Sequence, residues 1–473
     1  MSRGVAWVSL ASGVVAVCDL VSLALILRFW ATAADYGTAS AVMTMFGAIQ
    51  LVGEAGLPAA IVQRAHADPE RLSSAFWLSV LLGVVVYAVI WLVAPLVAAA
   101  FDTPVIGSVL RVAGLLVVLR PFYTTHQAIL RRELRFKELS VVRVIANLAE
   151  LALKVAAAAA GAGLWSFVIG AVLREAIYAV GVPLVAGWRP RWVLRPRTLV
   201  EDFRFGLRST GGELLYQLYA NFDYQVVGYS YGLAALGYYR AAYELVLEPV
   251  RFISGVVSTV AFPAFARLHT DRAALVEQLV AFTRQNVAVV GMFVATIVIT
   301  ADDVLRLVYG DDFVTAASAA RVLAVVGMLR ALSFLGPPLL DGIGRSDLSL
   351  RYQMVAATVL SSAFVIATHL GDSSDAVAAA WAVGYPIAFA VLARMVLVEL
   401  EITAATYLRR VARLALIPVV AAGGGLLARL LVAGAPPIAR FAIAGGVVVA
   451  LSLAGLIWLE GYSPAAIARR LRD

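Results

Sequence analysis

Apolar runs recur from one end of this chain to the other, separated by short stretches rich in arginine, glycine and aspartate. Each run holds roughly 20 residues, long enough at ~1.5 Å per residue to cross a hydrocarbon core of about 30 Å. The pattern predicts spans over residues 7–27, 38–63, 74–100, 107–128, 140–160, 164–186, 208–229, 239–262, 281–300, 316–340, 350–370, 376–398, 411–431 and 438–459. Runs such as Val80–Ile90 and Ala442–Leu453 show no alternation of apolar and polar positions, so they read as helices and not as strands of an outer-membrane barrel. The expected fold is an all-α polytopic membrane protein of about fourteen transmembrane helices.

Composition agrees. The chain is 62% hydrophobic and 14% charged with a mean hydropathy of +0.89, more apolar surface than a soluble core of 473 residues can hide. The net charge of +8 raises a nucleic-acid partner only to dismiss it, because the arginines fall between apolar spans, where they report topology. With the N-terminus inside, about two dozen Lys/Arg lie on cytoplasmic segments: Arg64/Arg71, Arg131–Lys137, Arg189–Arg208, Arg267/Arg272, Arg345/Arg351, Arg409–Arg413 and Arg469–Arg472. The opposite loops carry Asp35, Asp102, Asp302–Asp303, Asp311–Asp312, Asp372 and Asp375. Both termini of this multi-pass membrane protein are therefore expected in the cytoplasm. Trp7–Leu27 is too long for the apolar core of a cleavable signal peptide. One cysteine, Cys18, and four histidines far apart in sequence exclude an internal disulfide and disfavour a metalloenzyme.

The chain also looks doubled. Leu27–Gly37 (LRFWATAADYG) matches Val227–Gly237 (VGYSYGLAALG) in length and final glycine. After each comes an acidic residue, a proline and a basic exit: Glu54, Pro58 and Arg64 in one, Glu248, Pro263 and Arg267 in the other. This predicts two six-helix lobes arranged as parallel repeats. The expected organisation is an N-lobe over 1–187, a basic, tryptophan-bearing linker over 188–207, a C-lobe over 208–400, and two further helices with a cytoplasmic tail over 401–473.

A charge at mid-membrane costs on the order of 2.5–3.5 kcal/mol on insertion scales, so polar residues inside spans are the functional candidates. Arg120, Tyr123, Thr124 and Gln127 recur at helical spacing, as do Gln50 and Glu54. Glu213, Gln217 and Asn221 share a stripe, with Asp223 rotated away. Glu150/Lys154 and Glu244/Glu248/Arg251 read equally as site groups or as pairs that neutralise one another within a helix. Arg330 and Asp341 lie near one face on either side of Pro337–Pro338, a predicted kink. Arg120 and Arg330 have no acid three or four residues away, which predicts hydrated surroundings. Arg111, Arg143, Arg240 and Arg429, near span ends, are expected to snorkel, His126 to be structural, Tyr229 and Tyr231 to sit at the interface, and Asp302–Asp303 and Asp311–Asp312 to occupy solvated loops.

Several ordered stretches, DYGTASAVMTMFGAIQLVGEAGLPAAIVQR (35–64), ILRRELRFKEL (129–139), WRPRW (188–192), FGLRSTGGELLYQLYANFDYQVVG (205–228) and LGYYRAAYELVLEPVRFISGVVSTVAFPAFARLHTD (236–271), resemble the Wzx-type polysaccharide flippases. That family belongs to a superfamily that also holds multidrug antiporters and the lipid II flippase. The resemblance covers residues 1–285 by motif and the remainder by helix count. It implies a V-shaped, two-lobed alternating-access transporter that moves undecaprenyl-diphosphate-linked repeat units from the cytoplasmic to the periplasmic leaflet. The family's acidic position before a Gly-Leu pair falls on Glu54, its Leu-Arg-Arg-Glu motif on Leu130–Glu133, and its Asn-x-Asp motif on Asn221 and Asp223.

On this reading a cavity lined by Arg120, Tyr123, Gln127, Lys154, Gln217, Asn221, Arg251 and Arg330 receives the diphosphate, because fixed cations and donors suit a partly desolvated phosphate. Glu54, Glu213, Asp223, Glu244, Glu248 and Asp341 are the candidates for coupling to proton, sodium or membrane potential, a choice the residues leave open. No cofactor or metal is expected. The expected partners are a polyprenyl-diphosphate-linked glycan, membrane lipids and a polysaccharide polymerase or export machinery. Two alternatives stand beside it. An ion-coupled multidrug antiporter calls for an acidic cavity, and a membrane polymerase or glycosyltransferase calls for a sizeable extramembrane loop.

Overall fold

The computed structural model describes residues 2–54, 68–195, 215–217 and 219–460. Among these every regular element is helical. The helices are α1 (Ser2–Phe29), α2 (Ala33–Glu54), α3 (Pro69–Ala100), α4 (Pro104–Arg132), α5 (Phe136–Ala159), α6 (Trp165–Ala186), α7 (Phe222–Tyr231), α8 (Leu233–Arg267), α9 (Arg272–Val308), α10 (Asp311–Gly342), α11 (Ser346–Leu370), α12 (Ser374–Glu399), α13 (Ala404–Leu431) and α14 (Pro437–Glu460). Eleven of them are long and apolar enough to cross a membrane; α2, α5 and α7 do not reach that standard among the described residues. Glu213, and the side chain of Glu54, lie outside the described residues.

Proline and small-residue signals decide where the helices start, stop and break. α3 begins at Pro69 behind Asp68, whose carboxylate accepts the Glu70 N–H, so the cap satisfies a donor that proline cannot replace. α4 runs as Pro104–Ala113, Leu115–Leu119 and Pro121–Arg132, interrupted before Pro121, which lacks the N–H that would continue the ladder. α10 likewise breaks between Ser333 and Gly336, just ahead of Pro337–Pro338. The longest departure from expectation is α9. Its 37 residues make about 55 Å of helix where the apolar run alone predicted 281–300, because polar residues at both ends continue the same helix, begun by the Asp271 cap.

The chain divides into two compact units, Met1–Gly237 and Tyr238–Asp473. In the first, α2, α3, α4 and α6 meet around Val42, Phe46, Ile90, Val109, Leu116 and Val168. The first turns of α2 and α8 approach so closely that no side chain fits between them: a Cβ on Gly37 would lie 1.7 Å from the Leu233 carbonyl oxygen, and one on Gly237 would lie 1.8 Å from that of Ala33. The approach is reciprocal, and its two glycines are the ones that end the matched segments.

In the second unit, α9 packs against α10, α13 and α14, with Val287, Val411, Leu414 and Ile417 buried in one layer and Ala295, Ala421 and Val448 in the next. α11 and α12 pair beside α10. Buried Asn286 joins three helices, donating to the Ala331 carbonyl and accepting from the Ser254 hydroxyl. Outward positions such as Leu408, Leu416, Val419, Leu427 and Leu431 are exposed and apolar, as lipid requires of a membrane protein's surface.

Candidate functional site

In the first unit a chain of polar side chains crosses α4, α5 and α6. Glu150 on α5 is buried and held by two cations, Lys154 Nζ at 2.6 Å and Arg174 Nη1 at 3.0 Å. Arg174 on α6 also reaches buried Glu175, at 3.6 Å. Glu175 accepts a 2.7 Å hydrogen bond from the Tyr123 hydroxyl on α4. The Tyr123 and Tyr178 rings lie 5.3 Å apart, and the Tyr178 oxygen accepts from Asn147 on α5. Lys154 fits because α6 carries glycine opposite it: a Cβ on Gly170 would lie 2.4 Å from Lys154 Cγ. One turn along α4 from Tyr123, half-buried Arg120 donates to Gln50 Oε1 on α2 at 2.8 Å, and Gln127 continues the same face.

The structure therefore joins Tyr123 and Lys154 through Glu150, Arg174 and Glu175, the last two of which lie on none of the predicted stripes. Their signal was available: an Arg-Glu pair in the middle of an apolar helix. Neighbouring residues on a helix point about 100° apart, so such a pair addresses two different partners and leaves no i, i+4 trace.

The remaining candidates fall in separate places. Asn221 donates to the Gln217 side chain at 3.0 Å, so these two share the predicted stripe. Asp223 is fully buried and its carboxylate accepts the Tyr224 N–H. In the second unit Glu244 pairs with Arg240, and Glu248 pairs with Arg251 at 2.6 Å, both within α8. Arg251 is 59% exposed. Arg240 was expected to snorkel; a carboxylate one turn away holds it instead. Asp341 is half-buried near the end of α10.

Arg330 departs from the hydrated setting expected of it. It is 7% exposed, donates to the Tyr243 hydroxyl at 2.7 Å, and lies 5.0 Å from the Trp381 ring centre. The Trp381 Nε1–H in turn donates to the Tyr239 hydroxyl. Aromatic faces and a phenol are among the groups that surround the buried guanidinium.

Asp302 and Asp303 are a second correction. The sequence placed them in a solvated loop, yet they lie inside α9, and Asp303 is 0% exposed. Arg429 bridges both carboxylates at 2.6 and 3.2 Å, Arg321 reaches Asp302, and Arg440 reaches Asp303 at 2.7 Å. Arg429 thus pairs across helices and does not snorkel. The network ties α9 and α10 to α13 and α14. Outside the spans, Arg345 bonds Asp347 and Glu399, and the Asp347 hydrogen bond foremost raises the guanidinium above its ordinary range.

These groups bind and position charge: cations fixed by carboxylates, hydroxyls and rings inside an apolar scaffold. Comparison with known proteins adds the family. One described as polysaccharide biosynthesis protein matches residues 25–318. The teichuronic acid biosynthesis protein TuaB of Bacillus subtilis (strain 168) is 26% identical over 349 residues, 73% of this chain and 72% of that one. The lipopolysaccharide biosynthesis protein WzxC of Escherichia coli (strain K12) is 22% identical over 373 residues, covering 77% and 74%. The solved inward closed conformation of the lipid II flippase MurJ aligns with a TM-score of 0.80 at 13% identity, over 95% of this chain and 98% of that one. The all-α fold expected from the sequence is the fold the chain adopts, and it is shared with that solved structure.

Proposed function

We propose that this chain, which belongs to the polysaccharide biosynthesis protein family, is a flippase for polyprenyl-diphosphate-linked oligosaccharide repeat units, carrying them from the cytoplasmic to the outer leaflet. Its work is transport and not catalysis. The observation that carries the reading is the polar face of α4 inside an otherwise apolar bundle, where Arg120 and Tyr123 stand one turn apart and connect to Gln50 and Glu175. A phosphate passing through low dielectric needs cations already held in place, since a fixed guanidinium supplies charge and two donors without reorganising. The relatives support the cargo class: TuaB is named for teichuronic acid biosynthesis and WzxC for lipopolysaccharide biosynthesis.

In this reading Arg120 meets the diphosphate, with Gln127, Gln217 and Asn221 as donors; Arg251 and Arg330 remain candidate cation contacts within the second unit, and the polyprenyl tail stays in lipid. Lys154 is held by Glu150 and acts through that pair. Glu54, Glu213, Asp223, Glu244, Glu248 and Asp341 remain the candidates for ion coupling. The proposed setting is a bacterial cytoplasmic membrane with both termini inside, fourteen crossings in two six-helix halves plus two, and a polymerase or export machinery downstream.

Deleting the gene tests this. Complete lipid-linked repeat units are expected to accumulate in the inner leaflet while surface glycan is lost. Complementation with Arg120→Ala is expected to restore the protein to the membrane without restoring export. Unchanged lipid pools after deletion, with no second transporter present, would overturn the proposal.

A further inference from the structure

The basic, tryptophan-bearing linker begins where α6 ends, and its first residues are not slack. α6 stops at Gly187, whose φ of +69° turns the chain out of the helix. Residues 188–195 then lie as an extended strap across the start of α3. The Arg191 N–H donates to the Ser73 hydroxyl and the Arg195 N–H to the Ser74 hydroxyl, each at 3.0 Å. The Trp77 Nε1–H donates to the Arg191 carbonyl at 2.8 Å, and the Trp192 ring stacks on Trp77 at 4.2 Å and 20°. Trp188 packs edge-on against His126 and Phe76. Backbone and rings are fastened inward, so the strap holds a fixed course.

What it turns outward is different. Arg189, Arg191, Trp192, Leu194 and Arg195 are exposed, Trp192 at 86% although one face is stacked. Arg195 pairs with Glu70 at 2.6 Å, leaving Arg189 and Arg191 as the outward charges of the strap. The same end of the unit gathers Lys137 over the Trp7 ring, and Arg135, which donates to the Val185 carbonyl. Hydrogen bonds that Arg135 donates to Glu138 and Glu133 raise its guanidinium above the ordinary range. Trp7, Trp77, Trp188 and Trp192 thus collect beside arginine where apolar helices end, the level at which tryptophan prefers the membrane interface.

We propose that the strap over residues 188–195 is a binding surface for anionic phospholipid headgroups of the leaflet it faces, with Arg189 and Arg191 on the phosphate and Trp192 and Leu194 set at the headgroup–acyl boundary. Charge complementarity selects the occupant. A basic segment at this depth meets phosphodiesters first, and each arginine near an anionic surface strengthens binding about fivefold. The inference does not require that the chain carry glycans.

The test uses the full-length protein extracted in detergent, with phosphatidylglycerol and phosphatidylcholine titrated in competition and retained lipid counted by native mass spectrometry. Wild type is expected to retain phosphatidylglycerol preferentially, and R189Q/R191Q to lose at least about tenfold of that preference, with an unchanged thermal midpoint. S73A/S74A keeps every charge but releases the strap, and is expected to lose part of the preference. Equal preference in R189Q/R191Q and wild type would overturn the proposal. So would displacement of the lipid by inorganic pyrophosphate at low concentration, which would assign the strap to a diphosphate cargo.

Discussion

Arg174 is the residue on which the polar interior of the first unit turns. Its guanidinium lies 3.0 Å from one buried carboxylate and 3.6 Å from another, on two different helices. Removing one partner from a buried ion pair costs about 3–5 kcal/mol, because the charge left behind has lost both water and its counter-ion. Arg174→Ala is therefore expected to lower the thermal midpoint of the detergent-solubilised protein by several degrees. Arg174→Lys should fall in between, since an ammonium cannot fork to Glu150 and Glu175 together. The double variant Arg174→Gln/Glu175→Gln removes the stranded carboxylate with its cation, leaves the Glu150–Lys154 pair intact and should recover much of the loss. A double variant no more stable than Arg174→Ala would show that the pair is not what stabilises this region. Tyr123 joins the same cluster from α4 through its hydrogen bond to Glu175.

Among the described glycines, Gly37 and Gly237 in the first turns of α2 and α8 leave the least room for a side chain. A methyl group at position 37 or 237 would fall within 1.8 Å of a backbone oxygen, and backbone cannot rotate aside as a side chain can. Gly37→Ala and Gly237→Ala should each force the two first turns apart and lower both stability and glycan export. Once one alanine has opened the crossing, the other meets no further obstacle, so the double variant should cost little more than either single one. Strict additivity in thermal midpoints would show that the two glycines do not share one crossing. The sequence marked these glycines as the ends of matched segments without showing that they meet. That difference is general. The helices were legible because a run of apolar residues is a local property, and the break in α10 was legible because proline acts on its own backbone, whereas the break in α4 at Pro121 falls inside what the apolar pattern predicts as one continuous span. Helix ends were less so: Asp302 and Asp303 look like loop residues until Arg429 and Arg440, more than a hundred positions away, neutralise them. Arg330 failed for a related reason, since its rings come from α8 and α12. Periodicity shows which face a residue occupies and not what stands opposite.

At the scale of the whole molecule, the outward surface is solvated by lipid and the costly groups are turned inward and matched. Glu150 with Lys154 and Arg174, and Asp302 and Asp303 with three arginines, are each neutralised inside their own unit. Such pairs hold the scaffold. On the proposed reading Arg120 meets the cargo, so its loss should stop transport. The measurement that tests this most directly is leaflet exchange in proteoliposomes of the purified protein carrying polyprenyl-diphosphate oligosaccharide, read as the fraction of glycan that becomes accessible to an external glycosidase over time. The account predicts exchange well above protein-free vesicles, abolished by Arg120→Ala and retained by Arg251→Gln to a greater degree. Exchange no faster than in empty vesicles, under imposed proton, sodium and electrical gradients alike, would contradict it.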